Sequence, residues 1–358
     1  MPAAAFTGRL RVSRTVSVPL AAVGSSMMVG ALLIAMLGVP IAEAVSAFAD
    51  GAWGSAYSIG ASVNRSLAFA LVGLGFVLAQ RANLTNVGGE GQIAVGGMAA
   101  AAVALQPVVT GLPFGLAFVL PMFAALFAGA LWGALAGWLK AKAGTNEVIS
   151  TLLLSFIGVW LLYGSVQSTA LLRQPMTSSS TLPESLPVAQ ASQLPPLGAE
   201  LGLPLHIGLP IGLTLAVVVA LVLRRSVIGV QLRAVGLNPT AARRAGMPVA
   251  AAVVGVMGAA GALGGLAGAF MLLGEQGALK AGFSSGYGFD GLVVGLLARG
   301  SVGGVLMAAL LFGFLRSGGI NMEMVAGVPT ALVVVIQGLI IVTLAGAAFA
   351  IDGHRGTR

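Results

Sequence analysis

From Leu112 to Leu139 the chain carries no charged side chain, and apolar runs of similar character recur along most of its length. A helix needs about 20 apolar residues to cross the hydrocarbon core of a bilayer, and this run exceeds that. Lipid offers no partner for backbone N–H and C=O groups, so such runs are confined to helices, whose hydrogen bonds close within the segment. Little is left over for a soluble domain: 58% of the 358 residues are hydrophobic and 8% are charged, against about 25% charged in soluble domains. The chain reads as an all-α polytopic membrane protein.

Hydropathy predicts about ten transmembrane helices, at 18–39, 67–80, 93–109, 112–139, 148–166, 206–223, 250–273, 292–298, 302–315 and 329–350. The first run is longer than the apolar part of a signal peptide and is followed by further spans, so it reads as a span. The eighth is too short to cross and reads as a broken or re-entrant element. Basic residues concentrate on cytoplasmic loops. With both termini cytoplasmic, all 18 Lys and Arg residues fall inside except Arg65, Arg173, Lys280 and Arg316. The organisation predicted is a cytoplasmic tail over 1–17, a transmembrane domain over 18–350 and a second tail over 351–358. Two loops stand out within it, a polar outer loop at 167–205 and a basic cytoplasmic loop at 224–248. Glu43 and Asp50 fall in an outer loop ending near Arg65, and Arg316 to Val328 form an outer turn. With 53 Gly, close packing of helices is expected: Gly129, Gly133 and Gly137 form one ladder, and Gly261 with Gly265 and Gly264 with Gly268 form another.

The basic loop holds Arg224, Arg225, Arg233, Arg243 and Arg244. Its punctuation predicts a short helix: Asn238 as N-cap, Pro239 where no N–H is needed, Ala241 to Ala245 propagating, and Gly246 with Pro248 ending it. Such a helix either fixes topology alone or docks on a soluble partner.

Polar groups at membrane depth are costly and face a cavity or one another. Asn83, Asn86, Glu90 and Gln92 form one such cluster, Asn146 with Glu147 a second. In one reading they line a wet passage and bind a polar solute, with Phe283, Tyr287 or Phe289 stacking on a ring; in the other the polar groups cap helix ends and the aromatics pack. No cysteine occurs, and neither HExxH, GxxxxGK[ST] nor GxSxG is present. The chain therefore shows no ATPase, hydrolase or metal site of its own. His206 and His354, near ends of apolar runs, are expected in solvent. The net charge of +8 reflects topology and an anionic leaflet rather than nucleic acid.

Four stretches in order carry a family resemblance. Asn86-Val-Gly-Gly-Glu-Gly-Gln92, Gly144-Thr-Asn-Glu-Val-Ile-Ser-Thr151, the run from Arg233 to Met247, and Gly286-Tyr-Gly-Phe-Asp-Gly291 resemble the permease subunits of bacterial ABC importers for nucleosides, simple sugars and branched-chain amino acids. The resemblance implies the ABC-importer permease fold in a bacterial inner membrane. It also implies a coupling helix, with Arg233, Gly236, Asn238, Ala241, Ala242, Arg243, Arg244 and Gly246 at the contact with a separate ATPase that binds ATP and Mg. A second permease subunit and an extracytoplasmic substrate-binding lipoprotein are the other partners implied, besides the lipid bilayer. The Glu-Gly-Gln form and the long N-terminal section point to the nucleoside type. Ribose or another simple sugar, or a branched-chain amino acid, are the alternatives within the family, and Arg299-Gly-Ser-Val-Gly303 lacks a proline that relatives often carry. An ion-coupled transporter working alone is the rival of another class; no acid–base pair stands in mid-span to support it.

Overall fold

The computed structural model describes residues 14–343, apart from 114, 178–181, 199, 201, 330, 340 and 341. The expected tail residues before 14, the C-terminal tail and the end of the tenth span lie outside them. The chain divides into two compact units, Trp53–Ser317 and Met1–Ala52 with Gly318–Arg358.

The helices are α1 (Arg14–Met36), α2 (Ile41–Trp53), α3 (Ala56–Arg81), α4 (Gly89–Ala104), α5 (Pro107–Thr110), α6 (Leu116–Ala143), α7 (Glu147–Gln167), α8 (Gly208–Arg225), α9 (Val227–Leu237), α10 (Pro239–Arg244), α11 (Val249–Met271), α12 (Tyr287–Leu297) and α13 (Val302–Ala326). A short antiparallel hairpin, β1 (Pro196–Gly198) and β2 (Leu203–His206), precedes α8. Among the described residues six helices are long and apolar enough to cross a membrane: α3, α6, α7, α8, α11 with its extension to Gln276, and α13. The pair 24–36 and 41–53, bent by 120°, makes a seventh if counted as one span. That bend sits where Gly38 takes φ +75° just before Pro40. Helices α4 and α12, counted among the ten expected spans, are 16 and 11 residues long.

Helix α11 is the hub of the larger unit, packed against α6, α3 and α4. The two glycine ladders face each other there: a methyl on Gly261 would overlap the Gly129 carbonyl, and one on Gly265 the Ala125 carbonyl. Backbones approach this closely only without a Cβ, and dispersion over the seam holds the helices together where lipid gives no hydrophobic drive. In the smaller unit Ile34, Ala44, Ala47, Met322, Val328 and Val333 form the core.

Several boundaries differ from expectation. The second span is no short run from Leu67; α3 begins at Ala56, with Ser55 capping the Ser58 N–H at 3.0 Å. Its polar start is helical with part of its polar groups matched inside: Ser66 Oγ donates to the Ser62 carbonyl at 2.8 Å and Asn64 Nδ2 to the Pro204 carbonyl at 2.6 Å. Glu43 and Asp50 lie within α2, not in a loop. The turn expected from Arg316 to Val328 is mostly helix, since α13 runs on to Ala326; Gly318 and Gly319 serve close packing against Phe48 and Val333. His206 is buried rather than solvated, 3% exposed. Burial pushes its pKa down to about 4, and neutral Nδ1 accepts the Gly208 N–H at 3.1 Å.

The long polar segment caps one end of the bundle. Ser185 N–H donates to the Leu279 carbonyl at 2.8 Å, Val188 N–H to Gly277 at 2.7 Å and Leu194 N–H to Leu273 at 2.9 Å. It thus lies over the broken end of α11, while the basic loop lies at the other end, before Val249.

Candidate functional site

The two interrupted elements meet in the middle of the larger unit. After α3 ends, Asn83 takes φ +56° and residues 83–88 turn back along the bundle before α4 begins at Gly89. After α11, a π turn at Leu272–Gln276 and a loop lead to α12. The first turns of α4 and α12 touch: a methyl on Gly89 would come 2.9 Å from the Gly288 carbonyl and 2.8 Å from Val72. Val72 is nine residues from the Arg81 end of α3, about 14 Å at the helical rise, close to half the ~30 Å core. From there α4 follows α11 toward the capped end, through Gly96 on Gly265, and α12 follows α3 toward the basic end, through Gly295 on Phe76.

Helix N-termini carry unpaired N–H groups and partial positive charge. The Glu90 carboxylate bridges this junction. Glu90, in the first turn of α4 and 6% exposed, accepts the Gly286 N–H on one oxygen and the Gly288 N–H on the other, both at 2.8 Å. Beside it Asn86 and Gln92 bond reciprocally through their amides at 3.2 Å, and Asn86 Oδ1 also accepts the Gly88 N–H at 2.9 Å. The turn is pinned to α7, where Thr151 Oγ1 accepts the Val87 N–H and Ser155 Oγ donates to the Val87 carbonyl, each at 3.2 Å.

A second polar group lies toward the capped end. Arg65 Nε stands 3.8 Å from Glu275 Oε2, with the two side chains 23% and 24% exposed, and Arg65 also donates to Ser317 Oγ at 2.7 Å. Tyr287 stacks on Phe69 with ring centroids 4.6 Å apart, and the Arg316 guanidinium lies 5.1 Å from the Tyr287 ring centre. Arg316 donates to the Ser285 carbonyl at 3.0 Å. Asn64 Oδ1, Gln276 Oε1 and Arg316 Nε are buried and have no hydrogen-bond partner among the described residues. Cationic donors, a carboxylate and spare amide acceptors together suit an uncharged solute rich in hydroxyls.

At the basic end, α9 and α10 form a bracket under α3. Ser226 caps α9 through the Gly229 N–H at 3.1 Å. Asn238 caps α10 through the Ala241 N–H at 3.0 Å, with Pro239 first in the helix and Gly246 at φ +80° beyond it. The helix expected from the punctuation forms; α9 was not foreseen. A methyl on Gly236 would come 2.6 Å from the Arg81 carbonyl oxygen, so the bracket seats directly on the end of α3. Ala242 is buried, while Leu237, 78% exposed, stands with Arg243 and Arg244 on the outer surface. Among the described residues no carboxylate lies within ion-pair distance of Arg233, Arg243 or Arg244.

The residues predicted from sequence therefore fall into separate places. Asn86, Glu90 and Gln92 share the junction. Asn83 lines two cavities of about 300 and 290 Å³ beside the bracket, the first with Arg233 and the second with Arg243. Asn146 caps α7 through the Val148 N–H at 2.9 Å, and Glu147 pairs with Lys140 at 2.8 Å. Phe283 is buried against Gly97, Tyr287 is stacked, and Phe289 is half-buried. Sequence reasoning missed Arg65, Glu275 and Arg316 as a group. Their signal was present, since Arg65 and Arg316 are two of the four basic residues left off the cytoplasmic side.

The chain matches the sequence model of the permease component of branched-chain amino acid transport systems over residues 58–345. It is 34% identical over 335 residues to the guanosine ABC transporter permease protein NupP of Bacillus subtilis, covering 92% of this chain and 93% of the relative. To the glucose ABC transporter permease protein TsgB13 of Haloferax volcanii it is 33% identical over 344 residues, covering 92% and 87%. To the nucleoside ABC transporter permease protein NupB of Lactococcus lactis it is 31% identical over 337 residues, covering 93% and 91%. No solved structure matches the chain.

Proposed function

Since the chain belongs to the family of branched-chain amino acid transport system permease components, we propose that it is the membrane subunit of an ATP-driven importer that carries nucleosides. It is a multi-pass membrane protein and a transport permease. ATP and Mg are handled by a separate ATPase, a second permease completes the passage, and an extracytoplasmic lipoprotein delivers the solute; the membrane is the bacterial inner membrane, with both termini cytoplasmic and ten spans in all.

The observation that carries this reading is the bracket. A capped helix whose outward arginines have no carboxylate partner among the described residues, joined to α9 where Gly236 sits on the end of α3, gives a soluble subunit a handle on the buried helices. The ATPase engages Leu237 to Gly246, with Arg233, Gly236, Asn238, Ala241, Ala242, Arg243 and Arg244 forming or shaping the contact. Motion there reaches α3 through Gly236, and α4 and α12 through the Glu90 junction. Along the solute's route Asn83, Asn86, Glu90, Gln92, Asn146, Glu147, Phe283, Tyr287 and Phe289 support the passage walls, and the Arg65–Glu275 group meets ribose hydroxyls. Two of the relatives are named for guanosine or nucleosides. The glucose-named relative favours a second reading, a simple sugar.

Arg243→Glu with Arg244→Glu reverses the charge of the handle. The double variant is expected to insert normally, to lose the ATPase on copurification and to abolish uptake. A stably inserted double variant that transports at the parental rate contradicts the docking role.

A further inference from the structure

Helix α8 makes its main helix contacts with α3 and α9, and between it and α11 the described residues leave a groove of about 580 Å³ open. Its walls include Leu215, Val218 and Val222 of α8, Ile228 of α9 and Gly255 of α11; Gln231, at the basic end, is the one polar residue among those lining it. From Leu215 to Arg225 the helix rises about 15 Å, half of the ~30 Å hydrocarbon core, so this wall is one leaflet deep. Arg225 follows Val222 by three residues and Val218 by seven, which places it on the groove face one turn below the apolar wall. Arg224 and Arg225 are exposed and have no ion-pair partner among the described residues.

An open apolar slot inside a membrane is filled, because bare walls forfeit dispersion contacts on one side. A helix filling the slot would need a width of about 10 Å with its side chains. A flexible hydrocarbon chain needs less, and the cations at the mouth call for an anion above it. We propose that the groove holds one acyl chain of an anionic glycerophospholipid from the leaflet on the basic side, with its phosphate at Arg224 and Arg225.

The full chain, expressed with the rest of its transporter, is reconstituted into phosphatidylethanolamine vesicles with a minor share of phosphatidylglycerol. It is then extracted into detergent and its retained lipid is counted by native mass spectrometry. The expected result is one phosphatidylglycerol retained per chain. Basic side chains near a membrane surface contribute about 1 kcal/mol each, so Arg224→Gln with Arg225→Gln should lower the preference for phosphatidylglycerol on the order of 30-fold. Gly255→Trp, at a position where a Cβ meets no atom within 4 Å, fills the slot and should displace retained lipid of either headgroup. Ala259→Phe serves the same purpose should the tryptophan variant not accumulate. No retained phosphatidylglycerol in the parent, or equal retention in the arginine variant, overturns the proposal. So does loss of a protein subunit, with lipid unchanged, on filling the slot. The readout is lipid rather than transport, so it stands or falls separately from the nucleoside reading.

Discussion

Glu90 does with one side chain what two helix caps would otherwise do. Its carboxylate takes the Gly286 and Gly288 N–H groups at 2.8 Å each. Glu90→Ala leaves the buried Gly288 donor and the half-buried Gly286 donor without this acceptor, at about 1–3 kcal/mol for a fully buried one. We expect destabilisation on the order of 3 kcal/mol, read as a lower thermal midpoint in detergent, with impaired transport. Glu90→Gln keeps one acceptor and should fall between. An unchanged midpoint and unchanged uptake in Glu90→Ala would remove the clamp from the account. Asn86, Gln92 and Asn146 are engaged within the protein in the same way, each bonded to a backbone N–H or to a neighbouring amide.

At the scale of elements, the seam between α6 and α11 depends on glycine at positions where alanine would be the better helix former. Gly261→Ala adds a methyl that overlaps the Gly129 carbonyl, so the helices must part. The expected loss is about 1–3 kcal/mol, despite the gain of up to about 1 kcal/mol in helix propensity. Gly255→Ala on the same helix meets nothing within 4 Å and should be neutral or stabilising. Thermal unfolding of the pair side by side checks this; equal midpoints would contradict the close seam.

Much at this scale was legible in the chain. The ladders Gly129-Gly133-Gly137 and Gly261-Gly265 stand in plain spacing, and Asn238-Pro239 with Gly246 marks α10, because these features are local. What could not be read depends on partners far along the chain. Ser62, Asn64 and Arg65 look like the end of a loop until Pro204, Glu275 and Ser317 are brought beside them, and Gly318-Gly319 looks like a turn until Phe48 and Val333 close on it. Glu90 could be singled out as costly at depth, yet its partners, at Gly286 and Gly288, lie almost 200 residues away in the chain.

At the largest scale, within the unit Trp53–Ser317, a cap of polar chain at one end and a bracket of basic chain at the other are joined by helices that break and meet between them. That arrangement suits a subunit that receives a solute on one side and a mechanical stroke on the other. The most direct test is uptake of labelled guanosine and uridine by cells with and without this chain, competed with unlabelled ribose, glucose, leucine and nucleobases. The account predicts that uptake is lost with the chain and that nucleosides alone compete in its presence. Unchanged nucleoside uptake, with a deficit in ribose, glucose or leucine instead, would contradict the nucleoside assignment.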